Sequence, residues 1–167
     1  DIIAAGGCQE VNPAVTFAFD AIGTFSKSTI PKEAVKPFDK NRDGLVPSGG
    51  AACLILAEMD WALEQNLQIY GEIVGYGANS SNHLSKSDLN AELECMQKAL
   101  RDYSPNDVSV ISAHATGTVD GDLSEAGAIL GLFDKCRPDI SATKALTGHE
   151  MWAAGSTEIV YSILSSK

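Results

Sequence analysis

The fold is indicated most clearly by residues 108–133, which read VSVISAHATGTVDGDLSEAGAILGLF. Residues 108–112 form a short apolar run rich in β-branched side chains, which predicts a strand. The loop after it carries His114. Behind Asp122, apolar residues recur at helical spacing, namely Leu123, Ala126, Leu130 and Phe133. That spacing predicts an amphipathic helix capped by Asp122.

The same alternation of strand and helix extends outward from this stretch. Strands are predicted over residues 69–77 and 139–142, and helices over residues 89–103 and 152–164, the first capped by Ser87 or Asp88. The resulting β-α-β-α-β-α order predicts an α/β fold, with a parallel or mixed sheet covered by helices.

The first third of the chain follows a looser pattern. Residues 2–7 predict a short buried strand, and residues 51–57 are continuously apolar, which predicts a strand covered on both faces. Between them we expect a loop with one short helix near residues 15–21 and a turn at residues 39–44. Residues 60–66 predict one or two helical turns.

Composition excludes several classes of protein. The 167-residue chain is 44% hydrophobic and 20% charged, which is typical of a globular domain, and its net charge of −10 disfavours nucleic-acid binding. No apolar run is long enough to predict a membrane span. The four cysteines, at positions 8, 53, 95 and 136, lack metal-ligand spacing. We therefore expect no metal or cofactor, and a reducing, cytoplasmic location.

Two histidines lie where predicted strands end, a common place for ligand-handling groups in α/β proteins. His114 is followed by the hydroxyl residues Thr116 and Thr118, and His149 lies five residues after Lys144. Two neutral imidazoles that converge on one carbonyl would stabilise a developing negative charge. We expect a helix N-terminus to keep His149 neutral.

The other polar residues near the two histidines also have expected roles. Lys144 could pair with Glu125, which would avoid a lone buried charge. A simpler interpretation of the His114 loop is that it is a hydroxyl-rich capping loop with one hydrogen-bonded histidine. The third histidine, His83, lies in the polar residues 78–86 and is expected at the surface.

Several motifs in one order carry a specific resemblance. They are Pro37-Phe38-Asp39 with Arg42-Asp43-Gly44, the His114 loop through Gly121-Asp122 to Glu125, Thr143-Lys144 with Thr147-Gly148-His149, and Ala153-Ala154-Gly155. Together these motifs resemble the elongating beta-ketoacyl-acyl-carrier-protein synthases of the thiolase-like superfamily. Members of this family join an acyl chain, carried on a cysteine, to a malonyl thioester by decarboxylative Claisen condensation in fatty-acid biosynthesis.

The resemblance implies a fold, a division of the chain and a set of site residues. The fold would be part of a thiolase-like layered α-β-α structure. Residues 1–60 would end its N-terminal half, and residues 61–167 would begin its C-terminal half. The catalytic residues would be His114, His149, Lys144 and Glu125, and the residues that bind the pantetheine arm would be Thr116 and Thr118.

The resemblance also implies partners. An acyl carrier protein would deliver malonyl and acyl groups on phosphopantetheine, and the enzyme would be a homodimer. The acidic carrier would dock either outside this chain or on the cations between Lys27 and Arg42.

The sequence departs from the family in ways that leave alternatives open. None of the four cysteines has the family's nucleophile context, so the chain is expected to be a fragment that is inactive in isolation. Residues 47–50, Ala115 and Trp152 also depart from the usual pattern. One alternative is a non-catalytic thiolase-like partner subunit. Another is a generic α/β ligand-binding domain, in which His114 and His149 would lie far apart.

Overall fold

The computed structural model describes residues 1–81 and 87–165, so His83 lies outside the described residues. The elements in chain order are β1 (Ile2–Gln9), α1 (Pro13–Ala21), α2 (Pro31–Ala34), β2 (Gly50–Ala57), α3 (Met59–Glu64), α4 (Leu89–Leu100), β3 (Val110–Ser112), α5 (Val119–Phe133), β4 (Asp139–Ser141), α6 (Lys144–Thr147) and α7 (Ala154–Ser165). Single 3-10 turns lie at Pro105–Asp107 and Met151–Ala153. No helix in these ranges is long and apolar enough to cross a membrane.

The first pair of strands, β1 and β2, is antiparallel, with Ile2 opposite Ala57 and Gln9 opposite Gly50. Helix α7 packs against this pair. Side chains of β2 alternate between half-buried and exposed, and Ile55 is 70% exposed. The prediction of a strand covered on both faces is therefore wrong within this chain, because only one face of the pair is covered. Likewise, β1 is not the buried strand that was predicted.

The second pair, β3 and β4, is parallel, with Ile111 opposite Ile140. Helix α5 connects the two strands along the chain, and α4 packs against α5. The predicted helix cap is confirmed for α4, where the Asp88 carboxylate accepts hydrogen bonds from the backbone N–H groups of Asn90 and Ala91. This βαβ unit brings the ends of two strands to one edge, as parallel pairing requires.

The predicted strand over residues 69–77 is wrong. These residues pair with no strand in the described part of the chain, and Ile73 and Tyr76 are 68% and 78% exposed. The segment instead runs along α4, where a Cβ on Gly75 would lie 1.8 Å from the backbone oxygen of Ala99. β-Branched and aromatic side chains favour a strand only where a neighbouring strand supplies hydrogen bonds and packing.

Helix α5 begins earlier and faces differently from the prediction. Its N-cap is Thr118 rather than Asp122, which lies inside the first turn. Of the predicted apolar stripe, Phe133 is buried as expected but Leu123 and Leu130 are exposed, and the buried side includes Asp122 and Ser124. The helix therefore presents polar side chains to the protein interior. Asp122, together with Glu125, accepts backbone N–H groups of the neighbouring loop, and Ser124 donates to Glu92 on α4.

Candidate active site

The His114 loop is held by a carboxylate of α5. Glu125 accepts hydrogen bonds from the backbone N–H groups of His114, at 2.6 Å, and Ala115, at 2.7 Å. Burial raises the pKa of Glu125, while these two bonds act in the opposite direction. Glu125 makes no ion pair with Lys144, so the expected pairing is wrong. Its position in the first half of α5 brings it under the loop that leads into the helix.

A second carboxylate of α5, Asp122, holds the next part of the same loop. It is 1% exposed and accepts hydrogen bonds from the backbone N–H groups of Thr116, at 3.0 Å, Gly117, at 3.1 Å, and Phe38, at 2.8 Å. Oδ1 accepts the first two and Oδ2 the third, and the Arg42 guanidinium lies 3.5 Å from Oδ2. Three donors and a cation therefore converge on one buried side chain.

Arg42 connects this loop to the turn at residues 39–44. Its guanidinium donates to the backbone oxygens of Thr118, at 3.2 Å, and Val119, at 2.5 Å. The predicted turn is confirmed by the hydrogen bond from the backbone N–H of Asn41 to Asp39 Oδ1. Because only 13% of its side chain is exposed, Arg42 does not belong to the predicted docking patch for a carrier.

His149 is fixed to a separate segment. Its backbone N–H donates to the Val46 oxygen at 2.8 Å, and its own oxygen accepts from the Ser48 N–H at 2.9 Å. The ring Nδ1 accepts from the backbone N–H of Met151 at 3.2 Å. A nitrogen that accepts a hydrogen bond carries no proton, so the proton of the neutral ring lies on Nε2.

The two imidazoles meet edge to face. Their ring centroids are 5.2 Å apart and the ring planes are inclined at 83°. The interpretation as a generic ligand-binding domain required His114 and His149 to lie far apart, so it is wrong. Two segments separated by 35 positions in the sequence deliver both rings to one place.

Both rings are neutral at pH 7. The pKa of His114 is lowered to about 4, first by burial and then by the Lys144 charge. The pKa of His149 is also lowered to about 4, by burial and then by His114 and Lys144. His114 retains solvent exposure and lines an open cavity. The main cause of neutrality is therefore burial, not the helix N-terminus that we expected for His149.

Lys144 is buried against a partner that sequence reasoning missed. The ammonium, 1% exposed, donates to Glu158 Oε1 on α7. The sequence does carry a signal for this pair, because Glu158 lies among apolar residues of α7. An unpaired charge at such a position costs free energy, so a cationic partner could have been expected. The Lys144 charge lies close enough to lower the pKa of both imidazoles.

A cavity of about 500 Å³ opens between the two histidines, the threonine loop and α4. Thr116 and Thr118 line it, and their hydroxyls lie 3.0 Å apart. Met96 of α4 also lines the cavity. Glu92, which sequence reasoning missed, completes this wall and accepts a hydrogen bond from Ser124 at 2.9 Å. The described residues contain no cluster of side chains that could hold a metal ion.

Comparisons with known proteins point to one family. Residues 70–167 match the family model of the beta-ketoacyl synthase C-terminal domain, and residues 1–62 match that of the N-terminal domain. Among curated relatives, 3-oxoacyl-[acyl-carrier-protein] synthase 1 of Haemophilus influenzae is 39% identical over 98% of this chain. The Escherichia coli K12 protein of the same name is 38% identical over 98% of the chain. The chain spans 41% of the length of each.

Solved structures agree with this assignment. A beta-ketoacyl synthase from Burkholderia phymatum superposes with a TM-score of 0.93 at 33% identity, over 98% of this chain and 41% of that chain. AntDE:AntF, a type II PKS acyl-carrier protein in complex with its ketosynthase bound to the hexaketide, gives a TM-score of 0.91 at 31% identity, over 99% of this chain and 43% of that one. The predicted thiolase-like α/β fold is thus confirmed.

Proposed function

Because this chain belongs to the beta-ketoacyl synthase family, we propose that it supplies the decarboxylation half of a 3-oxoacyl-[acyl-carrier-protein] synthase active site. The observation that carries the proposal is the pair of neutral imidazoles at one cavity, 5.2 Å apart. The reaction would be the decarboxylative Claisen condensation of fatty-acid biosynthesis. Retention of both histidines and Lys144 favours this role over that of a non-catalytic partner subunit, which would not need them.

The chemistry follows from the charges that the reaction creates. When CO₂ leaves the malonyl thioester, the electron pair of the broken C–C bond passes to the thioester as an enolate, and negative charge develops on its oxygen. The Nε2–H of His149 and the N–H of His114 would donate to that oxygen. Each preorganised donor of this kind is worth about 3 kcal/mol in the transition state. The enolate carbon then attacks the acyl thioester on the nucleophilic cysteine. The cysteine thiolate leaves, and the 3-oxoacyl product stays on the carrier that brought the malonyl group.

Lys144 would act through its charge rather than as an acid or base. Its ammonium is held by Glu158, and its field lowers the pKa of both rings. Lys144 therefore adds to burial in keeping the rings neutral, which suits them to donate one N–H each without carrying a full charge. Glu125 would position the His114 backbone, since its two oxygens accept the N–H groups of His114 and Ala115.

Thr116 and Thr118 would bind the pantetheine arm of the substrate. Their hydroxyls lie side by side on the wall of the cavity that holds both imidazoles. A pantetheine arm carries amide and hydroxyl groups that such hydroxyls can bind. The site needs no cofactor in this reaction scheme.

The condensation also requires a cysteine nucleophile. The chain spans about two fifths of its curated relatives, and we place the nucleophile in the remaining portion, within a longer synthase that contains this chain. The chain alone would then be inactive in condensation. We retain the division near residue 60, the homodimer and the cytoplasmic location as parts of the same proposal.

The test compares the longer synthase with its variants, using malonyl-carrier thioester and measuring released CO₂ and 3-oxoacyl product separately. We expect H114A and H149A each to lower decarboxylation by about 10²- to 10³-fold while acylation of the nucleophile persists. K98A is the matched control, since Lys98 is an exposed residue of α4 far in sequence from either histidine. Normal decarboxylation by H149A, or condensation by the 167-residue chain alone, would contradict the proposal.

Docking of the acidic carrier is proposed for the exposed cations at Lys27, Lys32 and Lys40 and for the partly buried Lys36 beside them. Lys36 pairs with Glu33 at 2.9 Å, so the patch is partly neutralised. The triple variant K27E/K32E/K36E of the longer synthase should weaken carrier binding, as measured by calorimetry at low salt. Unchanged affinity would remove this patch from consideration.

A further inference from the structure

The residue after His149 is a buried carboxylate that the proposed mechanism does not use. Glu150 is 7% exposed, and its carboxylate accepts a hydrogen bond from the Thr157 hydroxyl on α7. Thr157 is itself 6% exposed. Removing a carboxylate from water costs free energy, so the position of Glu150 calls for a physical reason.

The carboxylate occupies space that β2 leaves open. A Cβ on Gly50, the first residue of β2, would lie 3.1 Å from Glu150 Cδ and 3.2 Å from Oε1. The Glu150 backbone oxygen also accepts from the Ala153 N–H at 2.9 Å. Glu150 is thus held between the start of β2 and the first turn of α7, by both its side chain and its backbone.

The segment that Glu150 anchors is strained next to the catalytic ring. Met151 has a φ of +46°, a left-handed conformation that non-glycine residues rarely adopt. Just before it, Glu150 has a φ of −77° and a ψ of 14°, and this backbone conformation directs the Met151 N–H to Nδ1 of His149. Strain of this kind persists only where the surroundings hold it, and the buried contact between Glu150 and Thr157 lies one residue away.

We propose that Glu150 and Thr157 form a positioning pair that holds the Met151 N–H on Nδ1 of His149 and so keeps the ring proton on Nε2. Neither residue touches the cavity that would hold substrate. They act through the turn at residues 149–151. The catalytic consequence rests on the proposed function, but the effect on the ring does not.

The experiment measures the His149 tautomer in the 167-residue chain by ¹H–¹⁵N NMR of labelled histidine, together with exchange of the Met151 amide. In E150A and T157V, we expect part of the His149 population to carry its proton on Nδ1. Met151 exchange should become about five- to tenfold faster, the factor expected for one lost hydrogen bond. E150Q and T157S keep an acceptor and a hydroxyl, and should behave like the unchanged chain.

Two results would overturn the positioning role. One is a wild-type tautomer and wild-type Met151 exchange in E150A and T157V. The other is a change at His114 as large as the change at His149, which would indicate general loosening. G50A provides a second route if E150A does not fold, because its Cβ should displace the Glu150 carboxylate. An unshifted His149 in folded G50A counts against the proposal.

The same variants separate this inference from the proposed function. In the longer synthase, a shifted His149 tautomer should lower kcat for malonyl decarboxylation about tenfold, with KM little changed. If the tautomer shifts while decarboxylation does not, the proposed function fails and the positioning pair stands. If E150A lowers decarboxylation without altering the tautomer, the positioning pair fails and the proposed function stands.

Discussion

Replacing Asp122 is expected to release the threonine loop from the rest of the site. The side chain is 1% exposed and accepts the backbone N–H groups of Thr116, Gly117 and Phe38, with the Arg42 guanidinium 3.5 Å away. D122A leaves three backbone donors without their acceptor and removes the carboxylate beside the Arg42 guanidinium, which keeps its hydrogen bonds to the Thr118 and Val119 oxygens. Each unsatisfied buried donor costs about 1–3 kcal/mol, and breaking a buried ion pair costs about 3–5 kcal/mol. These terms overlap, because water can enter the space left by the side chain.

We therefore expect D122A to lower the free energy of unfolding by about 4 kcal/mol. D122N retains one carbonyl oxygen but turns an amide group toward the remaining donors, so we expect it to lower the free energy of unfolding by about 2 kcal/mol. The assay is urea unfolding followed by the fluorescence of Trp61 and Trp152. D120A is the control, since Asp120 lies in the same helical turn but is exposed, and should cost less than about 1 kcal/mol. Equal destabilisation by D122A and D120A would refute the reasoning.

Three further predictions concern the imidazoles, the buried ammonium and one glycine. His114 and His149 should titrate near pH 4 by NMR rather than at the reference value of 6.5. In the unfolded chain the same histidines take up protons at a higher pH than in the folded chain, so the stability present above pH 6.5 is lost as pH falls toward 4. Titration of either ring above pH 6 would contradict this. K144M should lower the free energy of unfolding in urea by about 3–5 kcal/mol and raise the pKa of both rings, because it leaves Glu158 buried without its partner. K98M removes an exposed ion pair and should lower the free energy of unfolding by less than about 1 kcal/mol. Equal losses in the two variants would exclude a special role for burial. G117A should lower the free energy of unfolding by more than about 1 kcal/mol. Gly117 has a φ of +86°, and a Cβ there would lie 2.8 Å from the Gly44 backbone oxygen. Unchanged stability would show that the loop relaxes freely.

The sequence predicted the parts of the fold whose signals are local. The strand, loop and helix around His114 follow one another within 26 residues, and the cap at Asp88 uses a side chain adjacent to its helix. The close approach of His114 and His149 was predictable because parallel strands end at the same edge of a sheet. Their neutrality was also expected, although burial, not a helix N-terminus, is its main cause.

The failed predictions depended on non-local partners. Residues 69–77 have strand-like side chains, but no neighbouring strand in the described chain pairs with them. The sequence alone does not decide whether Lys144 pairs with Glu125 or Glu158. The packing of α7 brings Glu158 to Lys144, while Glu125 accepts the His114 backbone N–H. Leu123 lies on a helical stripe that faces outward, because backbone donors of the His114 loop require the polar face of α5.

The central claim is that two uncharged imidazoles face one thioester oxygen. The most direct test is a titration of the ¹⁵N-histidine-labelled chain with acetyl-pantetheine at pH 7, observed at the ring nitrogens of His114 and His149. The account predicts that both rings respond along a single binding curve and that neither becomes protonated. A response confined to one ring, or two rings that follow different curves, would contradict it.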